Sequence, residues 1–363
     1  MTDWIAASYG SVVTALVVVA AYALAYPTLI APRFFKESNE SGALADIDGF
    51  LTAKKSQSRW RIAFSFYAGS VGAWAITTPS NYASFAGWVG MTFYALACGI
   101  PVATPRPRLS ALLVVHARVC DVRSCVCAPR RQVIILAFFG NMVRDKYPGA
   151  GALGDVILAR FGPAMRYCTC VVALFNMVIF MLAEFTTIGA LFKDFVGDKN
   201  FPIIIVMAIL TTVYSAYGGL LVSIVTDQIQ AGVSLFFLVV LSIYVWATFK
   251  QELVPGFGDL KPLLGANEAG YGAILVMPVS LMAATVFNEG MWQRVWAAED
   301  TRALQQGGII GGVAVVAAIF LYGLFGFIAC WGGLVDYANT NVNLYLFQVP
   351  PLRPETQTLN PKP

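Results

Sequence analysis

The chain has 363 residues, of which 58% are hydrophobic and only 12% are charged. A soluble domain carries about 25% charged residues, so this composition excludes a soluble domain and predicts an all-α multi-pass protein of the lipid bilayer. The formal net charge is only +4 and the cations flank apolar runs, so we expect no nucleic-acid partner.

The first apolar run, 12–30, predicts a retained membrane span rather than a signal peptide. It follows an acid, Asp3, instead of a basic segment, and it is longer than the apolar region of a signal peptide. Further runs of the length that a bilayer demands follow along the chain. The predicted spans are 10–31, 62–82, a split span at 86–101 and 133–143, then 166–192, 201–217, 220–248, 271–290 and 305–330.

Basic residues concentrate in three of the predicted loops, which fall on one side if the spans alternate. They are Arg33, Lys36, Lys54, Lys55, Arg59 and Arg61 in the first loop, Arg144, Lys146, Arg160 and Arg166 in the second, and Arg294 and Arg302 in the third. The positive-inside rule makes this side cytoplasmic. We therefore expect an integral protein of the plasma membrane with an extracellular N-terminus.

Residues 102–132 interrupt a span that is otherwise continuous, since joining Pro101 to Val133 restores one apolar helix. The segment begins with a valine, whose codons start with GT, and ends with Gln132, which CAG can encode. We therefore expect a retained intron translated in frame. A zinc site is the alternative, but we expect no metal because the spacing matches no standard zinc knuckle; its ligands would be His116, Cys120, Cys125 and Cys127.

The last residues, 349–363, form a polar tail without apolar periodicity. We expect this tail to be a second read-through that ends at a stop codon, so that the chain is truncated.

Residues 212–230, TVYSAYGGLLVSIVTDQIQ, place a lone acid, Asp227, inside otherwise apolar sequence. A carboxylate at membrane depth is costly and usually marks an ion or proton path. The stretch resembles the signature of the sodium:solute symporter family. Other segments resemble the same family: 65–90 its first core helix with a break, 154–162 the segment before its third core helix, and 287–300 the exit of its sixth, with a Trp-Gln-Arg triplet. Trp74 and the Trp-Gln-Arg triplet most resemble the urea and polyamine symporters of this family.

This resemblance implies the inverted-repeat transporter fold, in which five core helices are followed by five more after one extra helix. The fold would be incomplete here, because only two helices of the second repeat are present. The implied division is 1–32 for the extra N-terminal transmembrane helix, 33–60 for a cytoplasmic loop, 61–250 for the first repeat with the insert 102–132, 251–333 for the start of the second repeat, and 334–363 for the tail.

The resemblance also implies an ion site at a break in the first core helix. The backbone carbonyls from Gly72 and Ala73 to Ile76 would ligate a dehydrated Na⁺, because hard cations prefer oxygen ligands. The alternative is a helix whose small residues serve close packing. Asp227 and Thr226 are assigned to the same ion site. Alternatively, the aspartate caps a helix N-terminus at the cytoplasmic interface, and the threonine hydroxyl bonds to its own helix backbone.

Four residues are predicted to bind solute, namely Trp74, Thr77, Glu184 and Asn288. Glu184 would line the cavity from the third core helix, together with Asn176 two turns earlier on the same face. The alternative for this glutamate is a position near the outer interface. The alternative for Asn288 is an interfacial helix end flanked by belt tryptophans.

The predicted function is cation-coupled uptake of a small polar solute, such as urea, a polyamine or an amino acid, by alternating access. The coupling ion would be Na⁺ or H⁺, with no cofactor and no catalytic residue. We expect this chain to be transport-incompetent, because later core helices of the family are missing. The alternative function is a truncated non-transporting isoform, or a membrane protein that acts in regulation or interaction.

The insert gives the first testable prediction. Long-read sequencing of the mature transcript should show Pro101 joined to Val133 and further helix codons after Gln348. A transcript that matches the chain as written would contradict this and favour the non-transporting alternative.

Overall fold

The computed structural model describes residues 2–26, 53–99, 133–197, 201–248, 267–331 and 346. Within these ranges the chain is helical, and the β-structure is limited to one isolated bridge between Gln57 and Ala298. The helices are α1 (Thr2–Ala25), α2 (Arg59–Ser70), α3 (Trp74–Gly99), α4 (Val133–Lys146), α5 (Leu153–Phe161), α6 (Pro163–Val196), α7 (Phe201–Thr248), α8 (Glu268–Val286), α9 (Glu289–Ala297) and α10 (Thr301–Trp331). The all-α prediction is confirmed.

Five helices in the described part of the chain are long and apolar enough to cross a membrane. Their apolar segments are Ala7–Ala25, Pro163–Asp194, Phe201–Ala247, Glu268–Val286 and Thr301–Cys330. Large apolar side chains project outward from them: along α6, Val171 and Phe175 are each 67% exposed. A water-soluble protein would bury such a surface, so the multi-pass membrane prediction is confirmed.

A glycine divides α7 into two spans. The helix has 48 residues, which at 1.5 Å per residue would measure about 70 Å, more than twice the hydrocarbon core. At Gly219 the backbone takes φ 60° and ψ −153°, a combination reached almost only by glycine. The break lies between the predicted spans 201–217 and 220–248.

The two predicted spans 62–82 and 86–101 are broken helices. The first is interrupted between α2 and α3. The second span is interrupted at Gly87, where the backbone leaves the helical region with φ 61° and ψ −160°. The rest of this span is the part of α3 that follows Gly87. Its predicted continuation, 133–143, is α4. The insert 102–132 and the tail 349–363 lie outside the described residues.

Close packing by small residues is present, and it lies along α10. A Cβ at Gly307 would be 2.8 Å from the Arg59 carbonyl oxygen, and one at Gly311 would be 2.7 Å from the Ala63 carbonyl oxygen. Two glycines four residues apart therefore let α10 lie directly against the backbone of α2, as in other membrane helix pairs.

The described ends of the three basic loops meet around α9. Arg144 at the end of α4 donates to the Ala298 carbonyl oxygen at 3.0 Å. The segment before α2 pairs with the same region, because the Ser56 N–H donates to the Ala297 carbonyl oxygen at 3.0 Å. The start of α5 joins them through the Leu153 N–H, which donates to the Glu289 carboxylate at 3.0 Å.

The turn at Gly219 should not tolerate a side chain. We expect Gly219→Ala to lower the free energy of unfolding by about 1–3 kcal/mol, because alanine is strained at this dihedral combination. Gly232→Ala in the same helix is the matched control, since a Cβ there meets nothing within 4 Å; it should be neutral or stabilising by up to about 1 kcal/mol. Thermal melting of both purified variants makes the comparison, and equal melting temperatures would contradict the assignment.

Candidate ion and solute site

The first helix break lies between α2 and α3, where the sequence predicts it. Helix α2 ends at Ser70, and the Val71 N–H donates to the Tyr67 carbonyl oxygen at 2.9 Å. The chain then makes a short turn before α3 begins. In this turn the Ala75 N–H donates to the Gly72 carbonyl oxygen at 3.1 Å, and the Ile76 N–H donates to the Ala73 carbonyl oxygen at 3.1 Å. Each of these carbonyls keeps a second lone pair for another partner.

A carboxylate from α6 occupies this break. The Ala73 N–H donates to Oε2 of Glu184 at 2.7 Å. The carboxylate lies so close to the backbone that a Cβ at Gly72 would collide with it. Glu184 therefore sits at the N-terminal end of α3, where free N–H groups and the helix dipole favour negative charge.

The second break lies between α8 and α9. The Asn288 side chain caps α9 by accepting a hydrogen bond from the Met291 N–H at 3.3 Å. Two carbonyls at the end of α8 receive side-chain donors: the Trp292 indole donates to the Val286 oxygen at 2.8 Å, and the Asn176 amide donates to the Ala284 oxygen at 3.0 Å. Side chains therefore satisfy several of the backbone groups that this break exposes.

Helix α6 serves both breaks with groups of matching polarity. Glu184 accepts from an N–H at the start of α3, and Asn176 donates to a carbonyl near the end of α8. The two side chains lie eight residues apart, about 12 Å along the helix axis, so they are on one face, as the sequence predicts. An acceptor meets a positive helix end and a donor meets a negative one.

A buried ion pair between Arg294 of α9 and Asp227 of α7 lies beside Ser65 of α2, about two turns before the first break. The Arg294 guanidinium contacts Oδ2 of Asp227 at 2.8 Å and donates through Nε to the Ser65 hydroxyl at 2.6 Å. The same hydroxyl hydrogen-bonds to Asp227 at 2.5 Å. Arg294 also donates to the Gly290 carbonyl oxygen at 2.7 Å. Asp227 and Arg294 are 9% and 8% exposed, so three helices meet at one nearly dry charge pair.

Glycine makes room for this guanidinium. A Cβ at Gly69 would lie 3.0 Å from the guanidinium carbon of Arg294. Sequence reasoning treated Arg294 as a loop cation and did not consider Ser65 at all. The available signal was the Trp-Gln-Arg triplet at 292–294, whose tryptophan is buried together with the preceding Met291.

The remaining predicted residues fall in different places. Thr226 and Thr77 are each 2% exposed, and their hydroxyls bond to their own helices, at the Ser223 and Trp74 carbonyl oxygens. Trp74 packs edge-on against Tyr94 with ring centroids 6.4 Å apart.

The structure therefore separates the predicted site residues into three groups. Gly72, Ala73, Ile76, Trp74, Thr77 and Glu184 gather at the first break. Asn288 lies at the second break. Asp227 and Thr226 lie beside α2 at the buried ion pair. Within the described ranges no cluster of three or more His, Cys, Asp or Glu residues could hold a metal ion, and the zinc alternative falls outside those ranges.

The tryptophans beside Asn288 are core residues. Trp292 and Trp296 are each 2% exposed and pack in the cluster that holds Ile62, Phe66 and Leu136. The belt alternative for this helix end is therefore wrong, since a belt residue would face the membrane surface.

Comparison with known proteins assigns this architecture to a family. The sequence model of the Sodium:solute symporter family matches residues 127–344, more than half of the chain. The chain belongs to this family. It is a family of transporters, so the prediction that the chain is not an enzyme is confirmed.

Curated relatives carry transporter names. The chain is 25% identical over 292 residues to the spermidine transporter DUR31 of Candida albicans, covering 80% of this chain and 50% of that relative. It is 25% identical over 207 residues to the probable urea active transporter 1 of Schizosaccharomyces pombe, covering 52% and 31%. The urea active transporter of Saccharomyces cerevisiae is 22% identical over 216 residues, covering 55% and 29%. The chain thus spans half the length of the first relative and less of the others.

The buried pair should carry a large share of the stability. We expect Arg294→Ala to cost about 3–5 kcal/mol, because it leaves the Asp227 carboxylate buried and unpaired. The double variant Asp227→Ala/Arg294→Ala should cost less than the sum of the two single variants. Thermal melting of the four proteins in a double-mutant cycle measures the coupling.

The exposed pair between Arg166 and Asp155 is the matched control. Its atoms are 3.5 Å apart and its side chains are 42% and 40% exposed. The same cycle there should give a coupling of at most about 1 kcal/mol. Equal couplings at the two pairs would show that burial does not set the strength of the Arg294 pair.

Proposed function

We propose that this chain carries the ion and solute sites of a cation-coupled secondary active transporter. The observation that carries the proposal is the pair of interrupted helices, α2–α3 and α8–α9, both held by polar side chains of α6. Interrupted helices in a membrane leave backbone dipoles and carbonyls available to ions and polar solutes, and such breaks are the usual binding sites of secondary transporters. Family membership supports this use of the breaks.

The coupling cation, Na⁺ or H⁺, binds near the first break in this proposal. Carbonyl oxygens of Gly72, Ala73 and Ile76 supply hard ligands for Na⁺. The Asp227 carboxylate supplies the negative potential from two turns away, with Thr226 beside it. Pairing with Arg294 compensates the charge of Asp227, so Arg294 and the coupling cation are alternative partners of the same carboxylate.

The solute is a small polar molecule such as urea, a polyamine or an amino acid. It contacts Glu184, Trp74 and Thr77 from the first break and Asn288 from the second. The names of the relatives, urea and spermidine transporters, support this class of solute. One charge moving down 100 mV supplies about 2.3 kcal/mol, enough to accumulate a neutral solute roughly fiftyfold.

The protein is placed in the plasma membrane, with the basic face that surrounds α9 in the cytoplasm and the N-terminus outside. The positive-inside rule supports this orientation, since the described ends of the three basic loops lie together around α9. The cation gradient across the plasma membrane would then drive inward transport.

Cation-dependent solute binding tests the proposal. We expect the purified chain in nanodiscs to bind radiolabelled spermidine or urea at least about tenfold more tightly in 100 mM Na⁺, or at a lower pH, than in choline at neutral pH. The double variant Asp227→Asn/Arg294→Gln should lose this dependence, because it removes both charges of the pair together. Gly232→Ala serves as the control for handling and folding.

Reconstitution into liposomes decides whether the chain also transports. Accumulation driven by an inward Na⁺ or H⁺ gradient would establish transport and overturn the expectation that the chain is incompetent. Cation-dependent binding without uptake would indicate the non-transporting alternative. If the solute affinity of the intact chain changed with neither Na⁺ nor pH, the proposed function would be overturned.

A further inference from the structure

Glu184 has unused hydrogen-bonding capacity inside the membrane-spanning part of the protein. A carboxylate accepts about four hydrogen bonds, and the described residues give this one a single partner, the Ala73 N–H at 2.7 Å. The other oxygen, Oε1, lies against Gly72 at the mouth of the break. The side chain is half-buried, so part of its surface stays accessible to a ligand.

No cation compensates this carboxylate within the described ranges. The salt bridges of Arg294 with Asp227 and of Arg166 with Asp155 do not involve Glu184. The start of α3 offers only the partial charge of a helix end, about half an elementary charge. A carboxylate at membrane depth normally has a partner cation, and the described residues do not supply a full one.

The surroundings of Glu184 favour donors and positive charge over acceptors and negative charge. The carbonyl ends of α2 and α8 point toward the two breaks, and helix C-termini carry negative partial charge. The nearest buried cation, Arg294, is already bound to Asp227, Ser65 and the Gly290 carbonyl. A solute carboxylate would therefore meet no free counter-charge in the described part of the site.

An aromatic residue begins α3 one position after Ala73, whose N–H holds the carboxylate. Trp74 follows Ala73 directly, keeps part of its surface exposed, and is held edge-on by Tyr94 at a centroid distance of 6.4 Å. A tryptophan face attracts ammonium groups by cation–π interaction. The carboxylate and the indole thus converge on the same kind of ligand.

We propose that Glu184 is the counter-charge for a protonated amine of the solute, so that this site selects alkyl polyamines over neutral urea and over zwitterionic amino acids. Alkyl ammonium groups stay protonated at neutral pH, as in the lysine side chain. The inference rests on the proposed function, because it assigns the solute class of the same site. Glu184 is then a solute-binding residue whose charge, and not merely its hydrogen-bonding shape, sets specificity.

Binding to the purified full chain in nanodiscs tests the charge. Radiolabelled spermidine is displaced by unlabelled spermidine, urea or glycine, and spermidine should compete at least about tenfold more strongly than either of the others. Glu184→Gln should weaken spermidine binding about tenfold to hundredfold, the range expected for a lost charge-assisted hydrogen bond. Glu184→Asp keeps the charge and should retain most of the preference.

Two further variants separate charge from folding. Glu268→Gln removes an exposed carboxylate at the start of α8 and should bind spermidine like the parent. Gly72→Ala keeps the glutamate but displaces its carboxylate, and should weaken binding as Glu184→Gln does. Melting temperatures are measured for all variants, so that a binding loss is scored only for folded protein.

The outcomes distinguish this inference from the proposed function. Equal spermidine affinity in Glu184→Gln and the parent, or urea competing as well as spermidine, would overturn the role of Glu184. Cation-driven uptake of urea that Glu184→Gln leaves unchanged would overturn it too, while the transporter proposal stands. Spermidine binding that needs Glu184 but responds to neither Na⁺ nor H⁺ would support the inference and overturn the transporter proposal.

Discussion

The structure depends on satisfying main-chain polar groups where helices are interrupted inside a membrane. Lipid offers no hydrogen bonds, so each free N–H or carbonyl in the hydrocarbon region costs several kcal/mol. In this protein the cost is met by side chains from elsewhere: Glu184 at the start of α3, Asn176 and Trp292 at the end of α8, and Asn288 at the start of α9. The interruptions persist because these partners are in place.

The same requirement explains why charge is concentrated where it is. Arg294 brings a guanidinium with five N–H donors into a nearly dry region, and it finds acceptors on three helices at Ser65, Asp227 and Gly290. Gly69 supplies the space that the planar group needs. A lysine there would not satisfy the same set, because its ammonium is compact and lacks the fork geometry.

The fold could be read from the sequence wherever the signal was local. Apolar run lengths predicted the spans, and the gap between the predicted spans 201–217 and 220–248 falls at Gly219, whose dihedrals few other residues adopt. The break at Gly72 came from resemblance to a family and from small residues. The interruption between α8 and α9 was not foreseen, since Asn288 was read only as a solute ligand or a helix end.

The site was harder to predict because its contacts join distant parts of the chain. Asp227 was singled out as a lone intramembrane acid, yet its partner Arg294 is 67 residues away, and a basic residue near a loop reads as a cytoplasmic charge. Ser65 carried no signal, because serine is common in membrane helices. Glu184 was found by its charge alone; its position at the break required the packing of α6 to be known.

The short backbone pairing near α9 has a mechanical consequence. The Lys55 N–H donates to the Trp296 carbonyl oxygen at 3.1 Å, and the Glu299 N–H donates to the Gln57 carbonyl oxygen at 2.9 Å. These bonds join the segment before α2 to the end of α9, so the two short helices are mechanically coupled. Neither helix can move away from the bundle without moving the other, so a displacement at either break is transmitted to both.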